Sequence, residues 1–385
     1  MKNKGASSLR IVITCDVDPD WPHIPYKDSK RGIVSKPPKW LKREACNLNS
    51  KSDKLRWQGI EEGIKSFYDE FNSADVKVTW YIRSDWMMNN IYDDWAWPFV
   101  YYSDLWRKLL ACGHELGWHP HLHRYSEATG VWHQEIKDEK WMRGCLETGF
   151  YELKKKAPAP LYGWTSKMGW DFHNNFTMRL ISGIGLKADF SANPGLMSRT
   201  IYGAVNESEK EYFINYYDWS KTPEMPYFPS EDDYMIPAKN SGRTLPILEI
   251  PITIHRAYRL GRIPTLFAKK IIYKLKNKKV NLSLPLTLNS GMELFNRAVE
   301  YILKNRRAYL NSGGSVIPYA NYIHMDFHSY DLLEPGCIER VKCNLKSLVS
   351  IAKKRGFSVE YCTASSIANI ITHDLMEMQK SEDFP

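Results

Sequence analysis

The chain has 385 residues, 43% of them hydrophobic and 25% charged, and a formal net charge of +9. That apolar content can fill a sizeable core, which argues against a disordered chain. No run of about 18 uninterrupted apolar residues occurs, and Met1-Lys2-Asn3-Lys4-Gly5 begins no export signal, so neither a membrane span nor secretion is expected. The seven cysteines are scattered without a Cys-x-x-Cys pair, which argues against a zinc ribbon and suits reduced thiols of a cytoplasmic protein.

In chain order, Ile11 to Cys15 reads as a buried strand that delivers Asp16-Val17-Asp18-Pro19-Asp20 to its carboxyl end. Residues 19–54, rich in Pro, Lys and Ser, read as an insertion. The spacing of Ile60, Ile64, Phe67 and Phe71 predicts a helix over 55–72, and 76–82 alternates as a strand. A helix over 105–112 is stopped by Gly113, and a short strand follows at the histidine cluster. Helices are expected over 137–156 and 175–181, with strands at 161–164 and 186–191. Residues 192–243 read as a second insertion, and 245–254 as a strong strand. A helix over 292–310, a late strand within 315–328 and helices over 338–355 and 365–378 complete the pattern. Strands alternating with helices imply a mostly parallel sheet with right-handed crossovers. A distorted or incomplete (β/α) barrel, in one domain spanning 1–385, fits this count.

The charge is uneven. From His255 to Lys279 there are nine Lys or Arg and no Asp or Glu, and Ile263, Phe267, Ile271 and Leu275 recur every four residues. A basic amphipathic helix over 255–280 can lie peripherally on an anionic membrane. The same pattern suits a helix packed on the core with its lysines in water. No RNA-binding motif, zinc finger or basic heptad region is present, so no nucleic-acid partner is expected.

Four of the eleven histidines fall within ten residues, in Gly113-His114-Glu115-Leu116-Gly117-Trp118-His119-Pro120-His121-Leu122-His123. Asp16 and Asp18 share a face at the end of the first strand, where α/β barrels keep their chemistry. In an unbroken strand His119 and His123 would stand about 13 Å apart. Pro120 favours a first helical position, so His123 is expected to return beside His119 after one turn. With Asp18 they make a two-His, one-carboxylate set with open positions, suited to Zn2+ or to Co2+, Ni2+ or Fe2+. His114 and His121 read as structural or supporting residues. On the late strand His324, Asp326 and His328 share one face, and Asp326 can orient either ring. Trp21, Trp164 and Trp170 offer flat rings for a sugar face, and suit core packing equally.

These residues resemble the polysaccharide deacetylases with a NodB-homology domain. Thr14-Cys15-Asp16-Val17-Asp18 resembles the family's first motif with the second acid displaced by one residue. Gly113 to His123 matches the second motif, Gly-His-Glu-hydrophobic-Gly-x-His-x-x-x-His, at every defining position. Tyr322 to His328 resembles the last motif; Leu248-Glu249-Ile250-Pro251 and Asp189 to Gly195 resemble further landmarks. The resemblance spans roughly 11–362. It implies the deacetylase type of barrel, Asp16 as base, Asp18, His119 and His123 as metal ligands, and a late histidine as acid, for which His328 is preferred. The family's third motif carries an arginine that orients the aspartate. The comparable stretch, Tyr162 to Trp170, has none, and Lys167 is the residue that can pair with Asp16 or Asp189 instead. A point ammonium does not reproduce a bidentate guanidinium. The activity implied is metal-dependent N-deacetylation of an acetamido sugar, in a glycan or lipid-linked precursor of a surface polysaccharide. The alternatives are a glycan-binding protein on an inactive deacetylase fold, and a deacylase or deformylase of another N-acyl sugar. A non-haem iron oxygenase shares the ligand set.

Overall fold

The computed structural model describes residues 7–20, 27–28, 32–33, 54–71, 75–127, 131–157, 165–169, 173–196, 200–202, 213–215, 218–238, 243–255, 284–311 and 321–382. Its centre is the first strand, β1 (Ser7–Val17), whose Leu9, Ile11, Val12, Ile13, Cys15 and Val17 are fully buried. Burial of successive side chains means that both faces are covered, the condition of a strand inside a parallel sheet. The other strands are β2 (Thr79–Arg83), β3 (Glu115–His119), β4 (Thr165–Ser166), β5 (Ala188–Asp189), β6 (Leu248–Glu249), β7 (Tyr322–His328) and β8 (Phe357–Cys362).

All eight are parallel, in the order β6-β5-β4-β3-β2-β1-β7. On one edge of β1, Arg10–Asp16 pairs with Tyr322–His328. On the other, Ser7–Val12 pairs with β8 and Thr14–Val17 pairs with β2. The sheet curls until its outer edges meet. Ile250 N donates to Asp189 O beside β6, and Thr253 N, three residues on, donates to His324 O of β7 at 3.0 Å. Leu288 N donates to Asp326 O at 3.0 Å, next to the parallel bridge Thr287–Asp326. This irregular join makes the sheet a distorted (β/α) barrel, as the alternation of elements implies.

Residues of even number on β1 face the interior, where Val12, Tyr81, Phe190, Leu248, Ile250 and Tyr322 form one apolar cluster with Ile367 and Ile371 of the last helix, Ala364–Glu382. That helix plugs the amino end of the barrel. Ala364 N donates to Thr79 Oγ1 and Ser365 N to the carboxylate of Glu115, and Thr79 and Glu115 are the first residues of β2 and β3. The larger cluster lies between the sheet and the outer helices and includes Phe67, Trp80, Trp106, Leu345 and Phe327. The carboxyl ends of β1, β2, β3 and β7, and Lys167 just after β4, are left to form the mouth.

The helix expected over 55–72 occurs as a π-helical turn, Gly59–Ile64, running into Lys65–Phe71. Asp20 caps its start, accepting from Gln58 N and Gly59 N at 2.8 Å each. Two expectations change. Residues 120–122 form no helical turn; His123 opens a hairpin strand, His123–Ser126, paired with Val131–Gln134. The strand expected over 245–254 is divided: Leu248–Glu249 joins β5, and Ile254–His255 pairs with Leu284–Pro285, because Pro251 has no N–H to continue the ladder. Short helices at Trp86–Tyr92 and Trp97–Tyr101, and strand β8, had no expectation. The strand expected at 161–164, most of the two insertions and the basic stretch 256–280 lie outside the described residues. Among the described residues no helix is long and apolar enough to cross a membrane.

Gly117 shows why the histidine motif has a glycine at its centre. The Tyr81 ring crosses from β2 over β3 to donate to Thr165 Oγ1 of β4 at 3.1 Å, and a Cβ on Gly117 would lie 2.4 Å from that ring. Gly117→Ala is expected to destabilise the fold by about 1–3 kcal/mol, as overpacking does. A urea midpoint unchanged from the parent would contradict this.

Candidate metal and catalytic site

The mouth of the barrel collects Asp16 from β1 and Asp18 just beyond it, Arg83 from β2, His119 from β3, Lys167 beyond β4 and His328 from β7. His119 is oriented by its backbone surroundings. Its Nδ1 donates to Lys167 O at 2.5 Å, which orients the ring and turns Nε2 toward Asp18 Oδ2 at 3.5 Å. His121 adds a second nitrogen, with Nε2 3.1 Å from His119 Nε2 and 3.7 Å from Asp18 Oδ1. Ligand atoms of Asp18, His119 and His121 all lie within 4.8 Å of one another.

The sequence expectation placed His123 in that trio. Here His123 is buried, and its Nδ1 accepts from an Arg83 terminal nitrogen at 2.8 Å while its ring lies 5.0 Å from that of His121. Arg83 is fully buried; its Nε binds Asp85 Oδ2 at 2.6 Å and its other terminal nitrogen lies 3.7 Å from Asp18 Oδ1. Asp85 also accepts from His121 N and from Met87 N at the start of the helix Trp86–Tyr92. Arg83 and Asp85 therefore hold the 121–123 loop in place, a role sequence reasoning missed. The signal available was an arginine and an aspartate at the end of the strand beside the histidine motif.

The trio suits a divalent ion. Two imidazoles and a carboxylate are the donor set of catalytic zinc sites. Asp18 Oδ1 is buried with no hydrogen-bond partner among the described residues, an arrangement a cation would satisfy. Burial opposes ionisation of Asp18, but His119, His121 and Arg83 outweigh it and hold the carboxyl well below its ordinary range.

Lys167 lies at the centre of the second half of the site. It is 2% exposed, and its Nζ lies 2.9 Å from both Asp16 Oδ2 and Asp326 Oδ2. It does not pair with Asp189, which accepts instead from Ser166 Oγ at 2.7 Å. Burial raises the Asp16 pKa, but Lys167, His119 and His328 together bring it below the usual value. Asp16 Oδ1 is buried and without a hydrogen-bond partner among the described residues.

His328 lies opposite Asp16 in register, its Nε2 3.9 Å from Asp16 Oδ2. Its side chain remains 39% exposed, so it is open to the mouth. Burial works against its charge, but the hydrogen bond with Asp331 and the fields of Asp16, Asp331 and Asp18 lift its pKa to about 9. His324 is different: fully buried against Phe190, with Nε2 3.0 Å from Thr14 Oγ1, it is held neutral by burial with a pKa of about 3. His114 is structural, its Nδ1 accepting from Val78 N at 3.1 Å. Trp21, Trp164 and Trp170 lie outside the described residues.

No family model and no curated protein matches the chain. Among solved structures it is similar to a candidate glycoside hydrolase/deacetylase from Parabacteroides distasonis, at 12% identity and a TM-score of 0.48, covering 96% of this chain and 72% of that one. It is also similar to a candidate polysaccharide deacetylase from Mycobacterium smegmatis, at 16% identity and a TM-score of 0.41, covering 98% and 93%.

Removing the Lys167 ammonium leaves two buried carboxylates facing each other. Lys167→Met is expected to cost about 3–5 kcal/mol, the usual penalty for breaking a buried pair. Equilibrium denaturation at neutral pH measures this, and part of the loss should return at a pH low enough to protonate the acids.

Proposed function

We propose that this chain is a metal-dependent carbohydrate deacetylase that hydrolyses the N-acetyl group of an acetamido sugar. The observation that supports it most directly is the convergence of Asp16, Asp18, His119 and His328 at one barrel mouth from strands far apart in sequence. The motif resemblance of Gly113 to His123 supports the same reading. The substrate proposed is a glycan or lipid-linked precursor of a surface polysaccharide.

Asp18 and His119 would hold the ion, with His121 as the third ligand in the arrangement seen and His123 as the third ligand by resemblance. An ion bound there supplies the positive charge that polarises an amide carbonyl and acidifies a nearby water. Asp16 acts as base. Lys167 occupies its Oδ2 and keeps it ionised, so Oδ1 is the oxygen left to accept the proton from the attacking water. His328 acts as acid. It carries its proton through the neutral range, faces the mouth, and can pass that proton to the departing amine. Asp331 steadies the ring, with Oδ2 3.7 Å from His328 Nδ1.

The test is acetate release from acetamido sugars and oligosaccharides with Zn2+ supplied. Asp16→Asn is expected to lower turnover by about 10²–10⁴-fold, the usual contribution of a positioned base. Glycan binding with no acetate release by the parent protein would overturn the hydrolase reading in favour of a binding protein.

The pH profile tests His328. An acid must be protonated, so turnover should fall as pH rises through about 9. His328→Gln should lower the rate and remove that alkaline limb; a limb that persists would assign it to another group.

Metal content separates the two candidate third ligands. His119→Ala should lose the ion held at this mouth. Loss in His121→Ala with retention in His123→Ala would favour the arrangement seen, and the reverse would favour the motif resemblance.

A further inference from the structure

A second group of potential ligands lies on the other side of Ser166 from the catalytic mouth. His173 immediately precedes Asn174, the N-cap of the helix Asn175–Gly183, Asp189 belongs to β5 and Glu249 to β6, and all three are fully buried. One atom of each, a histidine nitrogen or a carboxylate oxygen, lies within 4.8 Å of the other two.

His173 and Glu249 each have one polar atom committed to the protein and another turned toward this common point, and Asp189 Oδ2 faces the same point while accepting one backbone hydrogen bond. Thr177 Oγ1 lies 3.0 Å from Asn174 O and 2.9 Å from His173 Nδ1, and with its proton given to Asn174 O the ring donates to it from Nδ1. That places the lone pair on Nε2, which lies 3.6 Å from Asp189 Oδ2 and has no hydrogen-bond partner among the described residues. Asp189 Oδ1 accepts from Ser166 Oγ at 2.7 Å, and its Oδ2 accepts from Ser191 N at 3.2 Å. Glu249 Oε1 accepts from Ala192 N at 2.8 Å, while Glu249 Oε2 is buried without a partner. Among the described residues Asp189 pairs with His173, and no lysine or arginine forms an ion pair with Asp189 or Glu249. Two buried carboxylates and an imidazole lone pair without a cation are costly, and each ligand atom is already backed by an outer hydrogen bond, as metal ligands are.

We propose that His173 Nε2, Asp189 Oδ2 and Glu249 Oε2 form a second, buried divalent-cation site of zinc type, distinct from the catalytic one. Its role is to hold the barrel wall. It joins β5, β6 and the start of the helix Asn175–Gly183, and through Ser166 it steadies the strand that presents Lys167. The alternative is a proton shared between the two acids, toward which burial and the Asp189 charge push Glu249.

The test is titration of the chelator-stripped full chain with Zn2+ alone, repeated with Co2+ to read its visible absorption. The parent should bind two equivalents. His173→Gln and Glu249→Gln should each bind one, with a lower Tm that excess Zn2+ does not restore. His119→Ala should also bind one. Should Glu249→Gln fail to fold, His173→Gln and the Co2+ spectrum of His119→Ala decide. A parent that binds no ion, or one ion that His119→Ala abolishes and His173→Gln retains, overturns the proposal, as would two equivalents in His173→Gln. One equivalent kept by His119→Ala and lost by His173→Gln would uphold this site and count against the catalytic one.

Discussion

The ammonium of Lys167 between Asp16 and Asp326 is the contact on which the mouth of the barrel depends. Two carboxylates cannot both stay ionised in a buried space without a cation between them. With that cation present, Asp16 remains ionised, and the charge of Asp16 in turn helps His328 hold its proton. The carbonyl of the same residue takes the proton of His119 Nδ1 and so turns Nε2 toward Asp18. One lysine therefore sets the charge state of the proposed base through its side chain and the ring orientation of a proposed ligand through its backbone. An ammonium offers no bidentate fork, and the structure uses it as a point charge shared by two acids.

The run Gly113 to His123 was legible because nearly every position in it meets a local requirement. Gly113 takes φ +81, His114 accepts from a neighbouring strand, Glu115 receives the N-terminus of the last helix, and Gly117 leaves room for the Tyr81 ring. Asp16, Asp18 and Asp20 show the same economy of spacing. Alternate residues share a face, yet one pairs with Lys167, one faces the histidines and one caps a helix. The parallel barrel was legible for a related reason: the hydrophobic periods of its strands and helices are local properties of the chain.

What stayed hidden rests on long-range partnership. Arg83 is an ordinary strand-terminal arginine in sequence, and only the packing of β2 beside β3 brings it against Asp18 and His123. The route from His119 to His123 was expected to be helical because Pro120 suits a helix start. The hairpin with Val131–Gln134 supplies backbone partners that no local propensity records. The exchange of His121 for His123 beside Asp18 follows from that change of path. Lys167 was legible as a candidate partner for Asp16, but its second partner, Asp326, was not.

The register of β1 has a consequence for biosynthesis. Its first half pairs with Phe357–Cys362 and its second half with Thr79–Ile82, so a single strand waits on partners separated by most of the chain. Such non-local pairing carries a large loop-closure entropy and slows folding. The strand that carries Asp16 and leads into Asp18 cannot gain its full set of neighbours until residue 362 has emerged from the ribosome. During translation the half-built barrel exposes an unpaired strand edge, a template for pairing with other chains until the last strand arrives.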